Sequence, residues 1–207
     1  MNIFVTGCEH YSHHNIIKYC NRPFSSYEEM NKKLIFNHNQ RVKKDDITYH
    51  FGDFILYGNT KTGNGEQTKA EEIISQLNGQ HIFLEGNHDR GNRNTLKTRN
   101  QEIILNQNGL RIQCLHDPLY ARIDYDLVLC SHVHNAWKVR EICYCGQIRL
   151  IINTGVDVNN FLPVRLDEIL SIYYRWKSQR EKIKRWQHPD ILKELNKGTL
   201  IDENKSF

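Results

Sequence analysis

Five times before residue 135 a short apolar run stops in a turn built of glycine, histidine, aspartate, asparagine or cysteine. Ile3-Phe4-Val5 runs into Gly7-Cys8-Glu9-His10, Ile47 to Phe51 into Gly52-Asp53, and His81 to Leu84 into Gly86-Asn87-His88-Asp89. The apolar run after Asn108-Gly109 ends at His116, and Leu127 to Cys130 runs into Ser131-His132-Val133-His134. Runs this short and apolar, bounded by turn residues, read as buried strands. Strands alternating with helical stretches specify an α/β fold. In such folds sites form beyond the carboxyl ends of the strands, because the sheet is a rigid base on which the following loops converge.

The intervening segments fit that reading. Ser26 followed by Glu29 is a capping-box signature and predicts a helix from about Tyr27 to about Asn39. A loop of glycine, asparagine and threonine from Gly58 to Gly65 precedes a second helical stretch, Glu66 to Leu77, which Asn78-Gly79 terminates. Asn108-Gly109 is the strongest short hairpin signal, and Glu141 to Cys145 with Gln147 to Ile152 reads as a second hairpin turning at Gly146. Residues 1–170 are expected to form one domain and 171–207 a basic, aromatic helix and tail.

Composition excludes several classes. A quarter of the residues are charged, 39% are apolar, and no apolar run approaches the roughly 20 residues that span a bilayer. The beginning of the sequence does not read as a signal peptide, and the six cysteines lack the regular spacing of a disulfide framework, so the expectation is a cytoplasmic protein with reduced thiols and no membrane partner. The formal charge of +4 is modest, whereas eleven histidines is a high count, and they gather in the turns described above.

Those turns supply Cys8, His10, Asp53, Asn87, His88, His116, His132 and His134, hard and borderline donors in number sufficient for two metal ions if one carboxylate is shared. A single histidine in a turn is more often solvated than a ligand. Five such turns at successive strand ends favour a metal site, and a His-x-His pair after a strand projects both imidazoles to one side.

In order, Cys8-Glu9-His10, Gly52-Asp53, Gly86-Asn87-His88-Asp89, His116 and Ser131-His132-Val133-His134 resemble the calcineurin-like metallophosphoesterase pattern over roughly Asn2 to Leu170. Asn15 to Phe24 and Gly155-Val156-Asp157-Val158 look like a small microbial and phage branch of that family. The resemblance implies a four-layer α/β/β/α sandwich. It also implies a first metal held by Cys8, His10, Asp53 and His134, and a second held by Asp53, Asn87, His116 and His132. Asp53 would bridge, and a water acidified by both ions would attack phosphorus in line. His88 would protonate the leaving oxygen or orient the phosphate, with Asp89 fixing its tautomer.

The family has Asp where this chain has Cys8, and Ser131 replaces a usual glycine. A thiolate is softer than a carboxylate, which moves the expected metals from magnesium or manganese toward zinc or iron. Zinc, iron and manganese, divalent or of mixed valence, are the cofactors implied. His13, Arg22 and Arg90 are the candidate substrate contacts; His50 reads as a supporting or core residue, and Cys143 and Cys145 as core cysteines.

The expected function is metal-dependent hydrolysis of phosphomonoesters or phosphodiesters, related to nucleotides or nucleic acid. The alternatives are a catalytically silent interaction module and a redox regulator switched at Cys8. In the last segment, Tyr173, Tyr174, Trp176 and Trp186 interleave with Arg175, Lys177, Arg180, Lys182, Lys184 and Arg185. A packed helix with a solvated cationic face is the preferred reading. Single-stranded nucleic acid as a partner is the other.

Overall fold

A computed structural model describes residues 1–56, 69–98 and 100–186. The glycine-rich loop expected at 58–65, the start of the following helix and the tail expected from Gly198 lie outside the described residues. The chain divides into two compact units, 1–169 and 170 onward.

In the first unit β1 (Ile3–Thr6), β2 (Ile47–Phe51) and β3 (Gln80–Leu84) run parallel, in the order β3-β2-β1. A two-residue strand near the end of the unit, Val164–Arg165, pairs antiparallel with β1 and closes that sheet. The second sheet holds β4 (Glu102–Gln107), β5 (Leu110–Leu115), β6 (Leu127–Cys130), β7 (Val139–Tyr144) and β8 (Gln147–Asn153), in the order β4-β5-β6-β8-β7. Here β5, β6 and β8 are parallel, and hairpins attach β4 and β7 at the two edges. Both hairpin turns need two consecutive residues at positive φ. Asn108 and Gly109 supply 51° and 77°, Cys145 and Gly146 supply 48° and 73°, and the primed turn they form matches the twist of the strands.

Alternation along the strands separates two cores. Val5, Phe51 and Leu84 are buried on one face of the first sheet, while Phe4, Thr48 and His50 are buried on the other. The second of these faces carries α2 (Tyr27–Arg41) and α3 (Ala70–Ile74), whose Met30, Leu34, Ala70 and Ile73 cluster with Tyr11, Phe54 and Ile55. Ser26 caps α2 by accepting the amide of Glu29, as the capping box predicts. In the second sheet Leu115, Val128, Cys130 and Ile151 form one apolar face, leaving Ile112, Cys114, Leu127, Leu129 and Ile152 for the other. The sheets meet through Phe51, whose carbonyl accepts hydrogen bonds from Nδ1 of His116 at 2.8 Å and from the Ser131 hydroxyl at 2.5 Å. This is the α/β sandwich that the sequence implies.

Two further helices, α1 (His14–Tyr19) and α4 (Arg93–Leu96), were not legible in the sequence, and α3 ends a turn earlier than its apolar spacing suggests. A last helix, α5, spans Leu166–Trp186, and in the second unit it carries Tyr173 and Trp176 with ring centroids 5.8 Å apart. Cys143 and Cys145 are exposed, against the core placement expected, because both lie at the tip of an edge hairpin. Among the described residues no helix is long and apolar enough to cross a membrane.

Candidate metal centre

The parallel strands β1, β2 and β3 deliver Cys8 and His10, Asp53, and Asn87 and His88 to one edge of the first sheet; β5 and β6 deliver His116, His132 and His134 to the matching edge of the second. Close approach of the turns demands glycine at two places. A Cβ on Gly86 would stand 2.2 Å from the Asp53 nitrogen, and one on Gly52, at φ +84°, would stand 2.6 Å from Nδ1 of His116.

The ligand-bearing atoms converge. Those of Cys8, His10 and His134 lie within 4.8 Å of one another, as do those of Cys8, Asp53 and His116 and those of His10, Asp53 and His88. Oδ2 of Asp53 is 3.5 Å from Nε2 of His10 and 3.3 Å from Nε2 of His116, so one oxygen faces both clusters. Nδ1 of His132 lies 3.0 Å from Nε2 of His116. Asn87 is exposed beside Gly86 and His116.

Nε2 of His10 is buried and has no hydrogen-bond partner. A buried imidazole nitrogen left bare beside a carboxylate leaves an acceptor pair that a cation satisfies, and the mixed nitrogen, oxygen and sulfur donors suit borderline metals. The residues present therefore fit metal cations.

Supporting contacts fix which nitrogen each histidine offers. The Phe51 carbonyl can only accept, so His116 carries its proton on Nδ1 and turns Nε2 toward Asp53. Nδ1 of His134 faces Oδ2 of Asp157 at 3.0 Å, which frees its Nε2. Nδ1 of His10 pairs with Nδ1 of His13 at 3.1 Å. Oδ1 of Asp53 accepts the His88 amide at 2.8 Å, leaving Oδ2 as the outward atom.

Charge follows the same plan. Burial opposes ionisation of Asp53, but hydrogen bonding and charge from His116, with charge from His10, hold the carboxyl below the usual range. Burial pushes the His10 imidazole well down, and burial followed by the Asp53 charge pushes the Cys8 thiol well up. Cys8, His10, Asp53 and His134 all sit at positive φ, between 47° and 55°. Side chains other than glycine pay roughly 1–2 kcal/mol there, so the surrounding fold holds these four in place.

Two expected roles change. Arg22 does not face the cleft. Its guanidinium is buried, donates to the carbonyls of Cys8 and Glu9 at 2.7 and 2.8 Å, and pairs with both oxygens of Asp157. It clamps the first motif instead of meeting substrate. Asp89 does not reach the His88 ring: its carboxylate accepts the amides of Asp53, Phe54 and Gly86 at 2.7, 3.0 and 2.9 Å. His13 and His88 line the same cleft as His10, with ring centroids 5.4 Å apart, and Arg90 lines the cleft beside His116.

Glu9 projects away from its neighbours in the motif, toward α2. Its Oε1 lies 2.7 Å from Nδ1 of His50, whose Nε2 lies 3.0 Å from Nδ1 of His81. Glu9 therefore does not take the place of the missing aspartate, and His50 is a buried partner of Glu9 and His81. Asp157, quoted above only as part of a resemblance, proves to be the hub joining Arg22 and His134.

Fold and site together define an α/β sandwich protein with a centre at its strand ends suited to metal ions. The chain belongs to the same family as the uncharacterized protein MJ1445 of Methanocaldococcus jannaschii, with which it is 37% identical over 179 residues, 86% of this chain and 94% of the relative. Among solved structures it is similar to AQ665 of Aquifex aeolicus, a protein of unknown function, with 26% identity, a TM-score of 0.62 and coverage of 83% of this chain and 98% of that one. A structure of an archaeal phosphodiesterase shows 20% identity and a TM-score of 0.41, covering 75% and 84% of the two chains. No protein-family model matches the sequence.

Proposed function

We propose that this protein is a dinuclear metal-dependent phosphoesterase. The observation that carries the reading is the single Asp53 oxygen set between Nε2 of His10 and Nε2 of His116, with the His10 nitrogen otherwise bare. Cys8, His10, Asp53 and His134 would hold one ion, and Asp53, Asn87, His116 and His132 the other. When bound, the ions acidify water to a pKa near 7 and offset the charge on the phosphoryl oxygens.

The chain's own residues do the remaining work. Asp89 and the His88 amide fix the Asp53 turn and carboxylate, so the shared oxygen keeps one direction. Arg22 and Asp157 orient His134 and the backbone of the first motif. His88 is exposed, its ring 5.1 Å from that of His10, and would protonate a leaving oxygen. Retention of this proton donor beside the ligands favours an enzyme over a silent module.

Elemental analysis of the purified protein, with hydrolysis of a chromogenic phosphate ester measured in parallel, tests the reading. Two ions per chain and metal-dependent turnover are expected. Asp53→Asn should abolish turnover and lower both metal contents. Asparagine is tolerated at positive φ, so backbone strain would not account for that loss. Full metal content in this variant would remove the bridge.

A further inference from the structure

We propose that the centre acts on phosphodiesters in preference to monoesters, with an aromatic leaving group on the His88 side and a polar retained group on the Arg90 side. This inference rests on the phosphoesterase reading and narrows it.

Two clefts meet the ligand cluster at different residues. The larger, of about 810 Å³, reaches His10, His88, His132 and His134, and its walls include Tyr19, Tyr27 and Leu56. The smaller, of about 530 Å³, reaches Asn87 and His116, and its walls include Arg90, Gln101 and Arg122. His10 lines only the first and His116 only the second, although both face the same Asp53 oxygen. A phosphorus atom held over that oxygen thus has room for one organic group in each cleft. A monoester would fill one cleft and leave the other to water.

The walls differ in kind, which sets the orientation. Tyr19 is 74% exposed and stands edge-on to His13, with ring centroids 6.4 Å apart, a surface on which a planar ring can pack. Arg90 is exposed in the smaller cleft and, among the described residues, makes no ion pair or hydrogen bond, so its guanidinium is free for an oxygen-rich group. His88 lines the larger cleft, which makes the group lying there the leaving group. In hydrolysis water gives its oxygen to phosphorus and the phosphorus–oxygen bond to the aromatic group breaks. The departing oxygen takes a proton from His88, which the proton lost by water restores. The polar group leaves as a phosphomonoester.

The test compares p-nitrophenyl phosphate with bis(p-nitrophenyl) phosphate and thymidine 5′-p-nitrophenyl phosphate, using metal-loaded full-length protein. Both diesters should exceed the monoester in kcat/KM by about tenfold or more, the scale on which an added contact discriminates. Tyr19→Ala should raise KM for both diesters without altering metal content. Arg90→Ala should raise it more for the thymidine ester than for bis(p-nitrophenyl) phosphate, again without altering metal content. Equal or faster monoester turnover overturns the inference and leaves the phosphoesterase reading standing; failure of the two-metal protein to hydrolyse any ester removes both.

Discussion

Oδ2 of Asp89 accepts the backbone amide of Asp53 at 2.7 Å, so the residue facing both ligand clusters is held through its main chain by a second carboxylate. Asp89→Asn keeps the shape but turns an amide group toward at least one of three backbone donors. An unmet buried donor costs about 1–3 kcal/mol. The variant should melt at a lower temperature and lose affinity at both metal sites together. Chelator competition checks this, and unchanged affinity would mean that Asp89 does not set the turn.

Cys8 is fully buried, and its thiol is pushed well above the ordinary value by burial and then by Asp53. Binding a cation through sulfur must therefore displace a proton, and affinity at this site should rise with pH. Cys8→Asp should bind manganese and magnesium more tightly relative to zinc, with a flatter pH dependence. Cys8→Ala should lose one ion and largely keep the other. A metal-bound structure with the Cys8 sulfur well beyond the roughly 2.3 Å of a zinc–thiolate bond would sink this role.

Between α2 and the first sheet, His38 packs with His50 and the half-buried His81, and burial holds His38 at about 4 and the other two at about 3. An unfolded histidine titrates near 6.5, so below that pH the unfolded chain binds more protons than the folded one. The stability from these neutral rings is present above about pH 6.5 and falls as pH drops toward 4, by up to about 1.4 kcal/mol per pH unit for each ring. Urea midpoints of the metal-free protein at several pH values measure the slope. His38→Gln keeps a donor for the Asn78 carbonyl, 2.9 Å from Nε2 of His38, and should flatten it.

The strands were legible because each is a short apolar run bounded by a strong turn signal: β2 begins and ends at the residues expected, and both hairpins turn at Asn108-Gly109 and Gly146. The donor-bearing turns were legible by type alone, since few other reasons set His, Asp and Asn after successive strands. Their supports were not. Arg22 and Asp157 are 135 residues apart, and nothing local marks either as the other's partner. Asp89 follows His88 in sequence, yet its side chain turns inward to amides that only the folded β2 turn presents. The six-residue α1 has no side-chain cap and is held by its surroundings.

Positive φ at Cys8, His10, Asp53 and His134 sets heat resistance against function in this fold. Glycine at any of these positions would relax the backbone while deleting a donor. A library selected only for thermal tolerance, with no demand for activity, should drift toward glycine or asparagine at these four positions and lose the donor cluster as it hardens.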